Sequence, residues 1–340
     1  MDWFGLNDKT GIDIGAGSVK VVRITRGKRP KLVSAAIVEL PPDQAGAALV
    51  PELVHLRAAK KIGARNVVTL MPGKDLTVRS LSLPKMPVAE LREAVRWEAK
   101  RHISFPLESS LVEYLISGEN QEGVAGKYDI LMVAAENAKV VEHLAPLRDA
   151  AITVSAVDSN ALALRNVLRT RDRPLEGNLL VVDIGAGKTE IDIFNSGVLR
   201  FSRCLETGGF DMTRQLAEGL GLTLKDAEAL KCSADAMVPP DRDNAAALVR
   251  SRLDALLMEI RRSVEYYRTT FREQGVREAI LTGGASLMKG TAAYCAEALG
   301  FPVAIDDPFA GLACTDALRE EFGPLAPRFS AAVGLALRED

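Results

Sequence analysis

Apolar and polar positions alternate through the first forty residues. TGIDIGA, VKVVRIT and KLVSAAIVEL predict three successive strands, and RGKRP is a turn punctuated by Gly27 and Pro30. A helix follows around 48–61, then the apolar strand NVVTLM. From Asp75 the order changes. DLTVRSLSLP predicts a strand closed by Pro84 and Pro87. PVAELREAVRWEAKRHI predicts a helix, with Leu91, Val95 and the Glu98–Ala99 turn at helical spacing. SSLVEYLIS and KYDILMVAAE are two further strands, joined by ENQEGVAG. Helices at 137–150 and 158–169 flank the strand ITVSAV, and the polar RTRDRPLEGN, with Pro174 and Gly177, closes this half.

The second half opens as the first did. LLVVDIGAGKTEIDIF restates GIDIGAGSVKVVRI: an apolar strand, a DIGAG turn and an alternating strand. Asn195–Ser196–Gly197 is strong hairpin chemistry. Residues 211–274 predict mostly helix, with MEIRRSVEYYRTTFREQ the clearest. AILTGGASLMKG predicts a strand, a glycine turn and a helix start, and PRFSAAVGLALR a closing helix. Such alternation points to an α/β architecture of two related halves, the first carrying a strand-helix-strand-strand insert.

Composition narrows the partners. A chain of 340 residues suits roughly two domains, and 47% hydrophobic residues give ample core. The 43 basic and 45 acidic residues are interspersed, for a net charge of −2, which argues against nucleic-acid binding. MDWFGLNDKT is not a secretory signal, and no uncharged apolar run is long enough to span a bilayer. Cys204, Cys232, Cys295 and Cys314 are scattered without a CxxC pair, as in a reducing cytoplasm, and indicate neither zinc nor disulfides. His55, His102 and His143 are too far apart for a metal site or a triad. Trp97 reads as packing against the insert's sheet; Trp3 and Phe4 read as packing or partner contacts.

Residues after each GAG alternate as a strand, so neither copy opens a helix as a GxGxxG dinucleotide fingerprint would, and GxxxxGK[ST] has no match. A small-residue strand turn can still bind phosphate through backbone N–H groups, at Gly15, Ala16, Gly17 and Ser18 and again at Gly185, Ala186, Gly187, Lys188 and Thr189. Ser18, Lys20, Lys188 and Thr189 add hydroxyls and positive charge. Asp13 and Asp183 suit Mg²⁺, held through water. The bland alternative is a plain tight turn; duplication with an Asp before and a Lys or Thr beyond favours phosphate. Gly283, Gly284 and Ala285 allow close approach of a flat ligand group at a helix start, and Gly208–Gly209 invite the same. Glu190 is read as positioning water or Mg²⁺ or as facing solvent, and Asp158 as an N-cap or a neighbour of the γ-phosphate. Lys231, rather than Lys225, is the lysine read as reaching ribose or adenine.

Together these residues resemble the superfamily of actin, heat-shock chaperones and hexokinase: DxGxG…K at Asp13–Lys20, DxGxGxT at Asp183–Thr189, and GG at Gly283–Gly284. Within it the chain most resembles the PilM family of type IV pilus assembly, itself close to the division protein FtsA. The resemblance is carried by GIDIGAGSVKVV, VRWEAKRHISFPLES, ILMVAAENAKVVEHLAPLRDA, VDSNALALRN, GGFDMTRQLAEGLGLTLKDAEALK and FSAAVGLAL. It implies an actin-like two-lobed fold. Subdomain 1A would be 1–73 and 137–176 with 321–340 returning, 1C the insert 74–136, 2A 177–211 and 276–320, and 2B the helical 212–275.

The resemblance also implies ATP between the lobes with Mg²⁺ near Asp13 and Asp183, and at most weak hydrolysis, with Glu190 and Asp158 the candidate catalytic groups. It implies docking of a short cytoplasmic peptide from a PilN-like inner-membrane protein, contact with other pilus assembly proteins, and a cytoplasmic place at the inner membrane; self-association stays open. The chain departs from the PilM pattern at Ala16 and Gly17, where serines are usual, near Ser159–Asn160, where an acid is usual, and at Ala285, where glycine is more frequent. Two other functions remain in view. A small-molecule kinase lacks an evident base, and an FtsA-like filament-forming division protein is disfavoured by an ending in LALRED without an amphipathic tail.

Overall fold

A computed structural model describes residues 8–27, 29–41, 45–63, 65–120, 126–171, 175–239 and 243–339; Trp3, Phe4 and parts of the ENQEGVAG and RTRDRPLEGN connections lie outside them. Strands β1 (Asp8–Ile14), β2 (Ser18–Thr25) and β3 (Lys31–Glu39) form an antiparallel meander. Both faces of it are buried. Val19 and Val21 enter one core cluster and Val22 and Ile24 another, as the two-residue period of a strand requires. After α1 (Ala45–Ala58), β4 (Val67–Leu70) adds parallel to β1.

The insert follows: β5 (Leu76–Pro84), α2 (Val88–Ala99), β6 (Ser110–Asn120) and β7 (Lys127–Glu136), with sheet order β5-β7-β6. Helix α2 lays Leu91, Val95 and Ala99, four residues apart, on Ile130 and Met132. Trp97 is two residues beyond Val95 and so points to the opposite side, about 200° around the helix. It is 65% exposed, with the Lys100 ammonium 4.0 Å from its ring centroid. This overturns the expected packing of Trp97 against the sheet. The helix also ends at Ala99, where turns begin, rather than running on to Ile103.

The chain returns through α3 (Asn137–Asp149), β8 (Val154–Asp158) and α4 (Asn160–Leu168), completing the sheet β3-β2-β1-β4-β8. The second lobe starts with β9 (Asn178–Ile184), β10 (Thr189–Asn195) and β11 (Val198–Leu205), whose hairpin turn has positive φ at Ser196 and Gly197. Helices α5 (Gly209–Leu220), α6 (Leu224–Ser233) and α7 (Asn244–Phe271) come next. Then follow β12 (Glu278–Thr282), α8 (Thr291–Leu299) and β13 (Val303–Ile305). The order β11-β10-β9-β12-β13 repeats the first lobe strand for strand. Along β9, Leu180, Val182 and Ile184 join the core under α5 and α7, while Leu179 and Val181 pack with α4 residues and Leu131 of the insert.

The chain closes through α9 (Asp316–Phe322), a 3-10 run and α10 (Ser330–Ala336), back on the first lobe. Helices α10 and α4 cross in close contact. A Cβ on Gly334 would lie 1.9 Å from Ala163 O, so the crossing needs glycine there. A further expected element differs. After Gly283 the chain makes a four-residue 3-10 turn, and α8 begins only at Thr291.

Candidate functional site

The two DIGAG turns close the β1–β2 and β9–β10 hairpins. Each is tied by one hydrogen bond, Gly15 N–H to Ser18 O at 3.0 Å and Gly185 N–H to Lys188 O at 2.9 Å. The fold brings them face to face. A Cβ on Gly17 would lie 3.1 Å from Ala186 Cβ, and one on Gly187 would lie 3.0 Å from Ala16 Cβ. Among the described residues no backbone hydrogen bond takes up the N–H groups of Ala16, Gly17, Ala186 or Gly187. Two small-residue turns with free amides are an anion cradle built from both lobes.

Charges around the turns differ. Lys20, opposite Asp13 in register, sets its Nζ 2.9 Å from Asp13 Oδ2. Opposite Asp183 stands Glu190, bonded in turn by Lys188 Nζ. Asn160, from α4, donates through Nδ2 to Asp183 Oδ2 at 2.7 Å. Part of Asp183 reaches the cleft, but desolvation by the surrounding walls and then the Glu190 charge push its carboxyl up to about 6. Burial opposes the charge on Lys188, yet Glu190 outweighs it and holds the lysine above its ordinary value. A 310 Å³ cavity opens beside Glu190, lined also by Gly73, Lys74, Ser159, Asn160 and Cys204. Asn160 is 1% exposed, and its Oδ1 has no protein partner.

Several expected contacts are placed differently. The N–H of Gly208 is bonded by Asp211 Oδ2 at 2.8 Å, and those of Gly209 and Phe210 go to Gly185 O at 2.9 Å and Ala186 O at 2.7 Å. The start of α5 thus braces the second turn and offers a ligand none of these amides. Thr189 is fully buried and donates its hydroxyl to Thr207 O, so it is no phosphate donor in this arrangement. Asp158 is neither a cap nor a free carboxylate: Ser159 caps α4, while Asp158 accepts from Ser159 N–H and from Arg338 Nε at 3.0 Å.

Gly283, Gly284 and Ala285 do adjoin the turns. A Cβ on Gly283 would fall 2.4 Å from Asp183 Oδ1, but the N–H of Gly283 bonds Pro327 O. Lys231 is 5% exposed and bonded to Gly209 O, Thr213 and Glu228. Cβ atoms placed on Gly209 would come 3.3 Å from Lys231 Nζ and 3.7 Å from Ala285 Cβ, so these three line one spot. No motif marks Arg328, which donates to Ser18 Oγ at 3.2 Å from the closing 3-10 run.

Among the described residues no three His, Cys, Asp or Glu side chains form a metal site on their own. Mg²⁺ is held by one or two carboxylates completed by water and substrate phosphate. The carboxylates of Asp13 and Asp183, on the strands that enter the two turns, are of the kind such a site uses. Arg328 escaped sequence reasoning because no local pattern marks it. Asn160 stood out only as a departure from an acidic position.

Duplicated lobes, the crossing of α4 and α10, and glycine turns facing across the cleft define a protein of actin-like fold. The family model of the type IV pilus assembly protein PilM matches residues 11–340, and the chain belongs to that family. A solved PilM–PilN type IV pilus biogenesis complex aligns with TM-score 0.84 and 29% identity, covering 97% of this chain and 98% of that one. The ethanolamine utilization protein EutJ of Carboxydothermus hydrogenoformans, with TM-score 0.56, 16% identity and coverage of 97% and 89%, shares the fold. FtsA of Escherichia coli (strain K12) is 28% identical over 50% of this chain and 45% of FtsA, so the chain spans less than half the length of that relative. Among the described residues no helix is long and apolar enough to cross a membrane.

Proposed function

We propose that the chain is an ATP-binding scaffold of the pilus machinery, held in its working shape by nucleotide clasped between the lobes. The observation that carries this is the pair of facing turns, each following one of Asp13 and Asp183, with four amides that no backbone acceptor takes up among the described residues. The turns would hold the phosphates, and Asp13 and Asp183 would orient Mg²⁺ through its waters. Bound Mg²⁺ supplies charge neutralisation of the phosphate chain. Gly283, Gly284, Ala285, Gly209 and Lys231 would flank the adenosine. A PilN-like inner-membrane protein would dock a short cytoplasmic peptide against the insert and the first lobe, which would put the scaffold at the inner face of that membrane. Support comes from family membership and from the likeness to a PilM–PilN complex.

The test is incubation of the purified protein with labelled ATP and Mg²⁺, followed by identification of what stays bound after several hours. Retained intact ATP supports the scaffold. Rapid formation of ADP replaces it with an ATPase or kinase, and no bound nucleotide removes the clasp altogether.

A further inference from the structure

Lys20 and Lys188, the lysines of the two turns, are both committed. They pair with Asp13 and Glu190, whose side chains are only 12% and 6% exposed. Arg328 is placed otherwise. Its Nη1 lies 2.7 Å from Glu39 Oε1 and its Nη2 donates to Glu39 Oε2 at 2.8 Å, but the Glu39 side chain is 65% exposed and its charge is screened by water. The same Nη2 reaches Ser18 Oγ on the first turn, and Nε lies 3.9 Å from where a Cβ on Gly284 would be. One guanidinium therefore stretches from the phosphate turn of the first lobe to the glycine pair of the second.

Its backbone is firmly held. Pro327 O accepts from Gly283 N–H and Thr282 Oγ1, and the fully buried Phe329 packs against Phe309 and Phe322. The base is fixed while the side chain keeps 20% of its surface exposed. Because Ser18 accepts a hydrogen bond from Arg328, its own O–H remains free to donate to an anion at the same spot. A phosphate offers the fork a charged, bidentate partner that competes well with a hydrated carboxylate.

We propose that Arg328 is a specificity-determining residue that leaves Glu39 to grip the phosphate chain of the bound nucleotide, so that the cleft selects nucleotides over nucleosides. The proposal rests on the nucleotide reading above. Calorimetric titration with Mg²⁺·ATP, Mg²⁺·ADP and adenosine tests it on the wild-type chain and on Arg328→Ala, Arg328→Lys and Glu39→Gln. Arg328→Ala is expected to weaken ATP and ADP roughly 10- to 100-fold, the range for a hydrogen bond to a charged group, and to leave adenosine unchanged. Arg328→Lys should fall between, keeping the charge but losing the fork. Glu39→Gln should tighten ATP by removing the competitor.

A purely structural Arg328–Glu39 pair would instead give both variants the same small drop in melting temperature with unaltered ATP affinity, and that result overturns the proposal. An Arg328→Ala loss that is equal for adenosine also overturns it. Wild-type protein that binds no nucleotide defeats the clasp itself, which distinguishes that failure from this one.

Discussion

DIGAG occurs twice, yet the two hairpins have become opposites electrostatically. In the first, register places Lys20 across from Asp13 and the pair closes at 2.9 Å. In the second, the same register places Glu190 across from Asp183, so two carboxylates share one site. Desolvation, and after it that arrangement, raises the Asp183 carboxyl to about 6, and Asn160 and then Lys188 relieve it from the sides. Their supports differ as well. The first turn is braced by Leu40 N–H on Gly17 O at 2.9 Å and by the Arg328 side chain on Ser18, the second by two amides at the start of α5. A repeated motif therefore specifies the turn, whereas its neighbours decide how each copy is held.

The largest expected effect comes from attacking the brace. A Cβ at Gly208 would meet Gly185 O at 2.6 Å, Ala186 O at 2.7 Å and Lys188 N at 2.8 Å. All three are backbone atoms, so no flexible side chain can swing clear. Gly208→Ala should destabilise the protein by on the order of 3 kcal/mol in denaturant unfolding, with nucleotide affinity falling alongside. A loss below about 1 kcal/mol would show that the second turn gives way freely despite its brace from α5.

Charge supplies the next test. Two residues beyond Glu190 is Asp192, fully buried, with neither carboxylate oxygen hydrogen-bonded in good geometry; the matching place in the first hairpin is Val22. Burial and then the Glu190 charge raise the Asp192 carboxyl well above its ordinary value, and the Ser202 hydroxyl opposite it only partly offsets them. An unfolded Asp releases its proton near pH ~4. Above that pH the folded chain still holds the proton, so stability declines as pH rises towards the folded value and is greatest below the unfolded one. Asp192→Asn imitates the protonated acid and removes the decline. At neutral pH the variant should be more stable than wild type by about 1–3 kcal/mol, and near pH ~4 the two should converge. Unfolding curves across that pH series decide it; parallel curves would mean that the carboxylate is ionised and satisfied.

Much of this was legible in the sequence, and the reasons are local. KYDILMVAAE, an apolar run bounded by polar residues, is β7 end to end, and both DIGAG hairpins lie where period and turn chemistry put them. Failures arise where a distant segment intervenes. The residues after Gly283 form a 3-10 turn in a segment joined to Pro327, and Asp158 was drawn to Arg338, 180 positions away. Arg328 reaches Ser18 across 310 positions, which no window on the sequence could span. Trp97 is a different case. Counting 100° per residue from Val95 would have turned it outward, so there the signal was present in the helical period itself.

The smallest effect sharpens the comparison most, because it changes the same atom in both copies. A Cβ on Gly15 would meet Lys20 Nζ at 2.8 Å and Ser18 O at 3.3 Å, whereas one on Gly185 would meet Lys188 O at 3.0 Å. The tightest contact at Gly15 is the far end of a long side chain, which can shift aside while keeping its pairing with Asp13. Neither glycine has a positive φ, so the alanine itself imposes no backbone strain. Gly15→Ala should therefore stay within about 0.5 kcal/mol of wild type, while Gly185→Ala loses roughly 1 kcal/mol or more, measured by parallel denaturant unfolding. Equal losses would mean that the turn's own geometry sets its tolerance, so that the repeat, and not its surroundings, governs both copies. Unequal losses in the expected order would place the difference between the hairpins in Lys20 and in the backbone that α5 holds still.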